Sequence, residues 1–381
     1  AHAWGAWGRR FKSCHPDFLT LSYIYLMAIE KKLISKKKPF YPISEKLKTF
    51  LKQHDRWIDD VISYEDLLRY SDSINIYDNN NVDTLWVRLI YNESERSEID
   101  MNLKIIYTLL HSDGNSSSIP YLNIDSVDYC TFGNSKPFRV KIRNIINDNF
   151  TYFYVKKTDA SRIYGIEFEH MLSPRNLNFL VNNSSLIEEH IAGIPGDIFI
   201  KDYLPKCSEY QKSQIAKEYV KFNERCMIRL LGDMRSYNYV VIPIHDFDQV
   251  IYKIRAIDFD QQSYEGQFSV YRPQFFKENQ PMMDLVRDKL KTDSIIQYKI
   301  EERSTISRRL IISDDRMKLL ISIMKDDTIS TKKNIDNLKK EIFKFTNEDS
   351  FIESKSMGEL MEKTLEYLKR NYQNVSLIDL I

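Results

Sequence analysis

Cysteine is scarce in this chain and scattered. Cys14, Cys130, Cys207 and Cys226 form no C-x-x-C pair, so reduced thiols in a cytoplasmic protein are expected, not a disulfide framework or a thiolate zinc site. The seven histidines are also dispersed and never form H-E-x-x-H, which argues against a structural or catalytic zinc. No run of about 18 apolar residues occurs, so no spanning helix is expected. The most apolar stretch, Phe18–Ile29, is broken by Thr20 and Ser22 and reads as a buried helix. Ala1–Gly8 lacks a signal-type apolar core and reads as an expression remnant. Net charge is nearly absent too. Lys plus Arg number 55 against 54 Asp plus Glu, which gives no electrostatic reason to expect nucleic acid or a membrane as partner.

What is present is an ordinary globular composition, 43% hydrophobic and 29% charged over 381 residues, enough for two or three compact units. The first third has helical spacing at Phe18, Leu21, Tyr25 and Ile29, and Ser44–Asp60 reads as helix and loop. Lysines 31, 32, 36, 37 and 38 cluster between them as a solvated helix end. Thr84–Tyr91 has strand composition. The polar run from His111 to Pro120 marks the main boundary, which sets off an N-terminal accessory domain, largely helical, over residues 1–118.

From there to about residue 200, strands are expected at Tyr121–Cys130, Phe138–Ile146 and Phe150–Lys157, with turns between them. A helix at Ser161–Leu172 and strands at Leu177–Asn182 and Leu186–Ile191 complete this unit, 119–200. The remainder, 201–381, is mainly helical. Gln211–Leu231 carries an apolar stripe of Ile215, Tyr219, Phe222 and Cys226, and short strands follow at Val240–Ile244 and Val250–Ile257. Ser356 and Glu359 form a capping box before the stripe Met357, Leu360, Met361, Leu365 and Leu368. The fold class is therefore α+β with two lobes.

The chemistry concentrates between Leu230 and Gly266. Asp233 stands five residues before Asn238, directly after the long helix, and Asp258 ends the hairpin that follows. That hairpin should return its second strand beside the loop before it, so Asp258 is expected to meet Asn238 around one metal ion. Phosphoryl transfer uses such a set: a carboxylate for the acceptor's hydroxyl, and hard oxygen ligands for Mg²⁺ on the phosphates. Asp246 and Asp248, by contrast, sit at a hairpin tip where turn propensity accounts for them.

Asp233-x-x-x-x-Asn238 and Ile257-Asp258-Phe259 resemble the catalytic loop and metal motif of the protein-kinase-like superfamily, in the same order. The resemblance runs over about Tyr121–Phe276. It implies a two-lobed kinase-like fold, a small antiparallel sheet lobe and a mainly helical one, binding ATP and Mg²⁺. By that match Asp233 is the catalytic carboxylate and Asn238 and Asp258 are the metal ligands. Arg235 stands where many kinases place a cation on the transferring phosphate. Lys156, or else Lys157 on the opposite strand face, would hold the α/β-phosphates, and Glu167, or else Glu169, would pair with that lysine.

The turn Phe132–Pro137, with Ser135 and Lys136, takes the place of the phosphate-covering loop and is similar to that of phosphoinositide-type kinases. Ile187–Gly193 resembles the hinge of aminoglycoside and choline phosphotransferases, so the backbone at Glu189 and Ile191 would hold the adenine. Three departures mark an atypical branch: Leu231-Gly232 replaces His-Arg, Asp260 replaces the glycine after Asp-Phe, and no Ala-Pro-Glu follows. Asp260 is left open between a second metal ligand and a helix cap. The acceptor stays open between a protein hydroxyl and a small molecule. A nucleotide-binding regulatory pseudokinase and a non-catalytic interaction module are the competing expectations.

Overall fold

The computed structural model describes residues 38–373, apart from positions 60, 79, 112, 113, 133, 134, 175 and 248. The apolar run Phe18–Ile29, Cys14, the lysines at 31, 32, 36 and 37, and Asp248 lie outside the described residues.

In chain order the first half contains α1 (Glu45–Gln53), β1 (Asp72–Tyr77), β2 (Asp83–Ile90), α2 (Glu93–His111), β3 (Leu122–Cys130), β4 (Phe138–Asn144), β5 (Phe150–Lys157), α3 (Ala160–Leu172), β6 (Phe179–Val181) and β7 (Ser185–Glu189). The strands form one antiparallel sheet in the order β1-β2-β3-β4-β5-β7-β6. Alternation sets its faces. Val127, Val140, Phe153, Val155 and Ile187 are buried on one side, in a core shared with Ile99, Leu103 and Ile106 of α2. On the other, Leu186 packs into a second core with α3 and the helical half.

The boundary expected at residue 118 falls inside this sheet. β2 pairs with β3 through Trp86–Cys130, Val87–Tyr129 and Arg88–Asp128, and side chains from Ile58 to Leu110 share the core of β3–β7. The described part of 1–118 is thus two helices and a hairpin built onto the sheet. A Ser/Asn-rich stretch marks a turn equally well whether the chain is leaving a domain or re-entering a sheet, which is why composition misplaces the border.

Residues 190–193 carry the chain out of the sheet. Then come β8 (Ile194–Pro195), a helical stretch over 196–206, α4 (Glu209–Ile228), β9 (Tyr239–Asp246) and β10 (Gln249–Ala256). The described residues close with α5 (Gln280–Lys289), α6 (Thr292–Ile312), α7 (Asp314–Asp326), α8 (Lys332–Thr346) and α9 (Met357–Asn371). β10, β9 and β8 make a small second sheet.

α4 opens with a reciprocal cap: Ser208 Oγ accepts from the Gln211 N–H and Gln211 Oε1 accepts from the Ser208 N–H. Its Ile215, Tyr219, Phe222 and Cys226 are all buried. At α9 only half of the expected box forms. Ser356 Oγ accepts from the Glu359 N–H, but Glu359 Oε2 takes the Lys355 N–H, one residue early. The stripe from Met357 to Leu368 is buried as the spacing predicts.

The architecture is α+β, a seven-stranded antiparallel sheet followed by a mainly helical half. Among the described residues no helix is long and apolar enough to cross a membrane, and Cys130, Cys207 and Cys226 are free thiols.

Candidate active site

Backbone hydrogen bonds build the loop that carries Asp233. β9 and β10 pair in register to Ala256–Tyr239, and one step further the Ile257 N–H donates to the Asn238 carbonyl at 3.0 Å. Asp258 is the next residue, so the hairpin does return it beside Asn238. Alongside, the Gly232 N–H donates to the Gln261 carbonyl at 3.1 Å and the Ser263 N–H to the Leu230 carbonyl at 2.8 Å. The two chain segments lie so close that a Cβ on Gly232 would stand 3.0 Å from the Gln261 oxygen. Glycine at 232 permits that approach. A Cβ on Gly165 would meet Phe259 Cβ at 3.0 Å, so α3 also presses directly on this segment.

Asp233 has a left-handed backbone, φ 57°, a conformation Asp tolerates better than most residues. The loop over-determines it. The Asp233 N–H donates to the Val270 carbonyl at 3.1 Å. Asn238 Nδ2 donates to the Asp233 carbonyl at 2.7 Å, and Asn279 Nδ2 donates to the Met234 carbonyl at 2.9 Å. Asn238 Oδ1 accepts no hydrogen bond from another described residue. Burial raises the Asp233 carboxyl to about 6, with Arg235 opposing and Asp258 and Glu278 adding to the rise. Arg235 does not stand free for a phosphate. Its Nε meets Asp233 Oδ1 at 2.9 Å and its Nη1 meets Glu278 Oε1 at 2.6 Å, above the Phe276 ring.

Asp258 and Asp260 differ in character. Burial and the neighbouring Asp260 raise Asp258, against the pull of Lys156 and Arg162. Asp260 stays below the usual carboxylate range despite its burial, because Arg162, Lys38 and Lys156 outweigh it. Asp260 is an ion-pair partner of Arg162, which settles on neither the metal-ligand nor the cap expectation. Arg162 is itself buried and donates to the Lys157 carbonyl at 2.6 Å. Lys38, expected at a solvated helix end, is buried against Asp159, the N-cap of α3, at 2.5 Å.

Of the two strand lysines, Lys156 is buried and faces inward, whereas Lys157 is half exposed and meets Glu65 at 3.8 Å. The glutamate partner differs from expectation. Lys156 Nζ pairs with Glu188 Oε2 of β7 at 2.8 Å, because the register sets Tyr154 opposite Glu188 and Lys156 opposite Leu186, on one face. Glu167 is instead buried against Arg316 of α7 at 2.7 Å, and Glu169 pairs with Arg229, the C-cap of α4. Both helix acids lock α3 in place rather than reaching the lysine.

Ser135 is half-buried and Lys136 exposed. Their turn lies at the Lys156 end of the sheet, since Phe138 pairs with Val155, and Tyr64 Oη donates to the Lys136 carbonyl at 2.8 Å. Glu189 Oε1 accepts from the Asn178 N–H at 3.0 Å, so its side chain is used within the sheet. Ile191 is buried in the connector, and its N–H donates to no other described residue.

Among the described residues no three His, Cys, Asp or Glu side chains converge as a metal cage. Mg²⁺ needs no such cage, taking one or two carboxylates with substrate phosphates and water. Asp258, with the free Oδ1 of Asn238, fits that demand in donor chemistry. The residues that sequence reasoning missed are Glu188, Arg162 and Glu278. A charged residue inside Leu186-Ile187-Glu188 was the available signal for the first, since such a carboxylate requires a buried cation.

No protein-family model matches the chain, and no curated protein matches it as a relative. The functional reading therefore rests on the site's own chemistry.

Proposed function

We propose that the chain is an ATP- and Mg²⁺-dependent phosphotransferase with a two-lobed protein-kinase-like fold. One observation carries the reading. The hydrogen bond from Ile257 to Asn238 sets Asp258 against the Asp233 loop, while Lys156, from a different sheet, acts electrostatically on the same Asp258. A lysine, two acids and an amide from separate chain segments share one electrostatic neighbourhood, and phosphoryl transfer calls for that combination.

Lys156 would hold the phosphates, and Asp258 with Asn238 Oδ1 would hold Mg²⁺, which when bound neutralises charge on the triphosphate. Asp233 would accept the proton of the acceptor's hydroxyl and orient that oxygen for attack. Arg235, held by Asp233 and Glu278, orients the carboxylate in the observed arrangement. The backbone of the connector, including the Ile191 N–H, would meet the base. The acceptor is a protein hydroxyl or a small molecule.

Lys156→Met should raise the apparent Kd for Mg·ATP about tenfold or more, because a desolvated charge–phosphate contact is lost. Lys157→Met should leave it within about twofold, since its side chain points away. Calorimetric titration checks this, with a thermal melt alongside, because removing Lys156 leaves Glu188 buried without its cation. Equal affinities in the two variants would remove Lys156 from the site.

A further inference from the structure

Glu188 is the acid beside Lys156 with a buried oxygen left over. It lies in a strand of buried residues and is only 5% exposed. Its Oε2 is taken by Lys156 at 2.8 Å, while its Oε1 is buried and receives no hydrogen bond from any described residue. Two neighbours that could serve it are committed elsewhere. Tyr154, directly across in register, shares its hydroxyl with His190 Nδ1 at 3.3 Å, and Lys156 has gone to the other oxygen. A buried carboxylate oxygen without a donor is costly, and a ligand N–H that fills it is favoured accordingly.

Its place says which donor. Glu188 stands one residue from the end of β7, where the chain enters the connector with the unused Ile191 N–H. We propose that Glu188 Oε1 accepts the exocyclic amine of adenine and so selects an adenine nucleotide over one carrying a carbonyl at that position. The inference rests on the nucleotide-binding reading above and adds to it the group that discriminates the base. A carboxylate paired with a lysine is an acceptor only, so it attracts the amine of adenine and repels the carbonyl of hypoxanthine or guanine. Glu188 thereby does two things at once: it positions Lys156 through Oε2 and reads the base through Oε1.

The test compares Mg·ATP with Mg·ITP on the full chain, because hypoxanthine differs from adenine at this edge. Wild type should bind ATP at least about tenfold more tightly than ITP. Glu188→Gln can still accept from Lys156 but offers a rotatable amide that donates as well as accepts, and its ATP:ITP preference should fall to within about threefold. Glu188→Asp keeps the charge but withdraws the oxygen by one methylene; it should narrow the preference too and serves if the Gln variant does not fold. An ATP:ITP ratio in both variants equal to wild type, with ATP still bound in a Lys156-dependent manner, overturns the role of Glu188 alone. No binding of either nucleotide by wild type overturns the nucleotide reading and this inference together.

Discussion

Asp233→Asn is expected to cut phosphoryl transfer by about 10²-fold or more, the scale of lost acid–base help, while Mg·ATP affinity stays within a few-fold of wild type. The asymmetry follows from position. On the proposed reading Asp233 faces the acceptor, so its loss would remove no ground-state contact to the nucleotide. The carboxyl is raised to about 6, chiefly by burial, so it accepts a proton only above that pH. Wild-type turnover should therefore rise with pH up to about 6 and level off above it, and the Asn variant's residual rate should lack that limb.

Stability moves the other way. A carboxyl whose folded pKa lies above its unfolded value near 3.8 favours the fold most at low pH, and that contribution is lost as pH rises through about 6. At neutral pH the uncharged Asn escapes this penalty, keeps a left-handed backbone readily, and leaves Arg235 its Glu278 partner. The variant should be more stable than wild type at pH 7, on the order of 1–2 kcal/mol. Equal turnover in wild type and variant would sink the role of Asp233; a less stable variant would contradict the electrostatic account of the loop.

Arg229→Met should cost about 3–5 kcal/mol of folding stability, because it strands a buried carboxylate. Arg229 and Glu169 are both almost wholly buried, and they tie α3 to the C-cap of α4. Arg229 Nη1 also donates to Ser173 Oγ at 3.1 Å and Nε to the Arg225 carbonyl at 3.1 Å. Despite its burial, the Glu169 carboxyl is held below the usual range by Arg229, so its contribution is present above about pH 4.5 and fades only as pH falls further. In Arg229→Met/Glu169→Met the buried carboxylate is gone too; Arg255, 3.9 Å from Glu169, loses that partner but still donates to the Asn176 carbonyl, so most of the loss should be recovered. Denaturant unfolding of the three proteins decides it. A double variant as unstable as the single one would mean that packing, not the stranded charge, sets the cost.

The parts that could be read from sequence are those encoded by near neighbours. Phe150–Lys157 appears as a strand over its predicted span, and the stripes of α4 and α9 are buried because a spacing of three and four residues fixes a helix face. The meeting of Asn238 and Asp258 was also legible, since a tight hairpin must return its second strand to where the first began. Ion-pair partners were not legible. Lys156, Glu167 and Glu169 each face an acid or base far away in sequence, and only the sheet register and helix packing decide whether Glu188, Arg316 or Arg229 is the nearer. α2 went unread although Ile99, Leu103, Ile106 and Leu110 follow a helical period. β1 had an alternation of Ile74 and Ile76 with polar residues, which its edge position leaves largely exposed.

α3 is locked by ion pairs with other segments. Its N-cap holds Lys38, and its Arg162, Glu167 and Glu169 are each committed to buried pairs with other segments. Lys156 takes its carboxylate from a neighbouring strand. The lysine's position is therefore independent of any swing of the helix.

The most direct test is calorimetric titration of the full chain with ATP, with and without Mg²⁺, for wild type and Asp258→Asn. The account predicts one saturable site in wild type that weakens markedly when Mg²⁺ is withheld, and a variant that folds normally but loses the Mg²⁺-dependent part, since its main hard anionic ligand is gone. No binding by wild type, or binding equally tight with and without Mg²⁺ in both proteins, would contradict it.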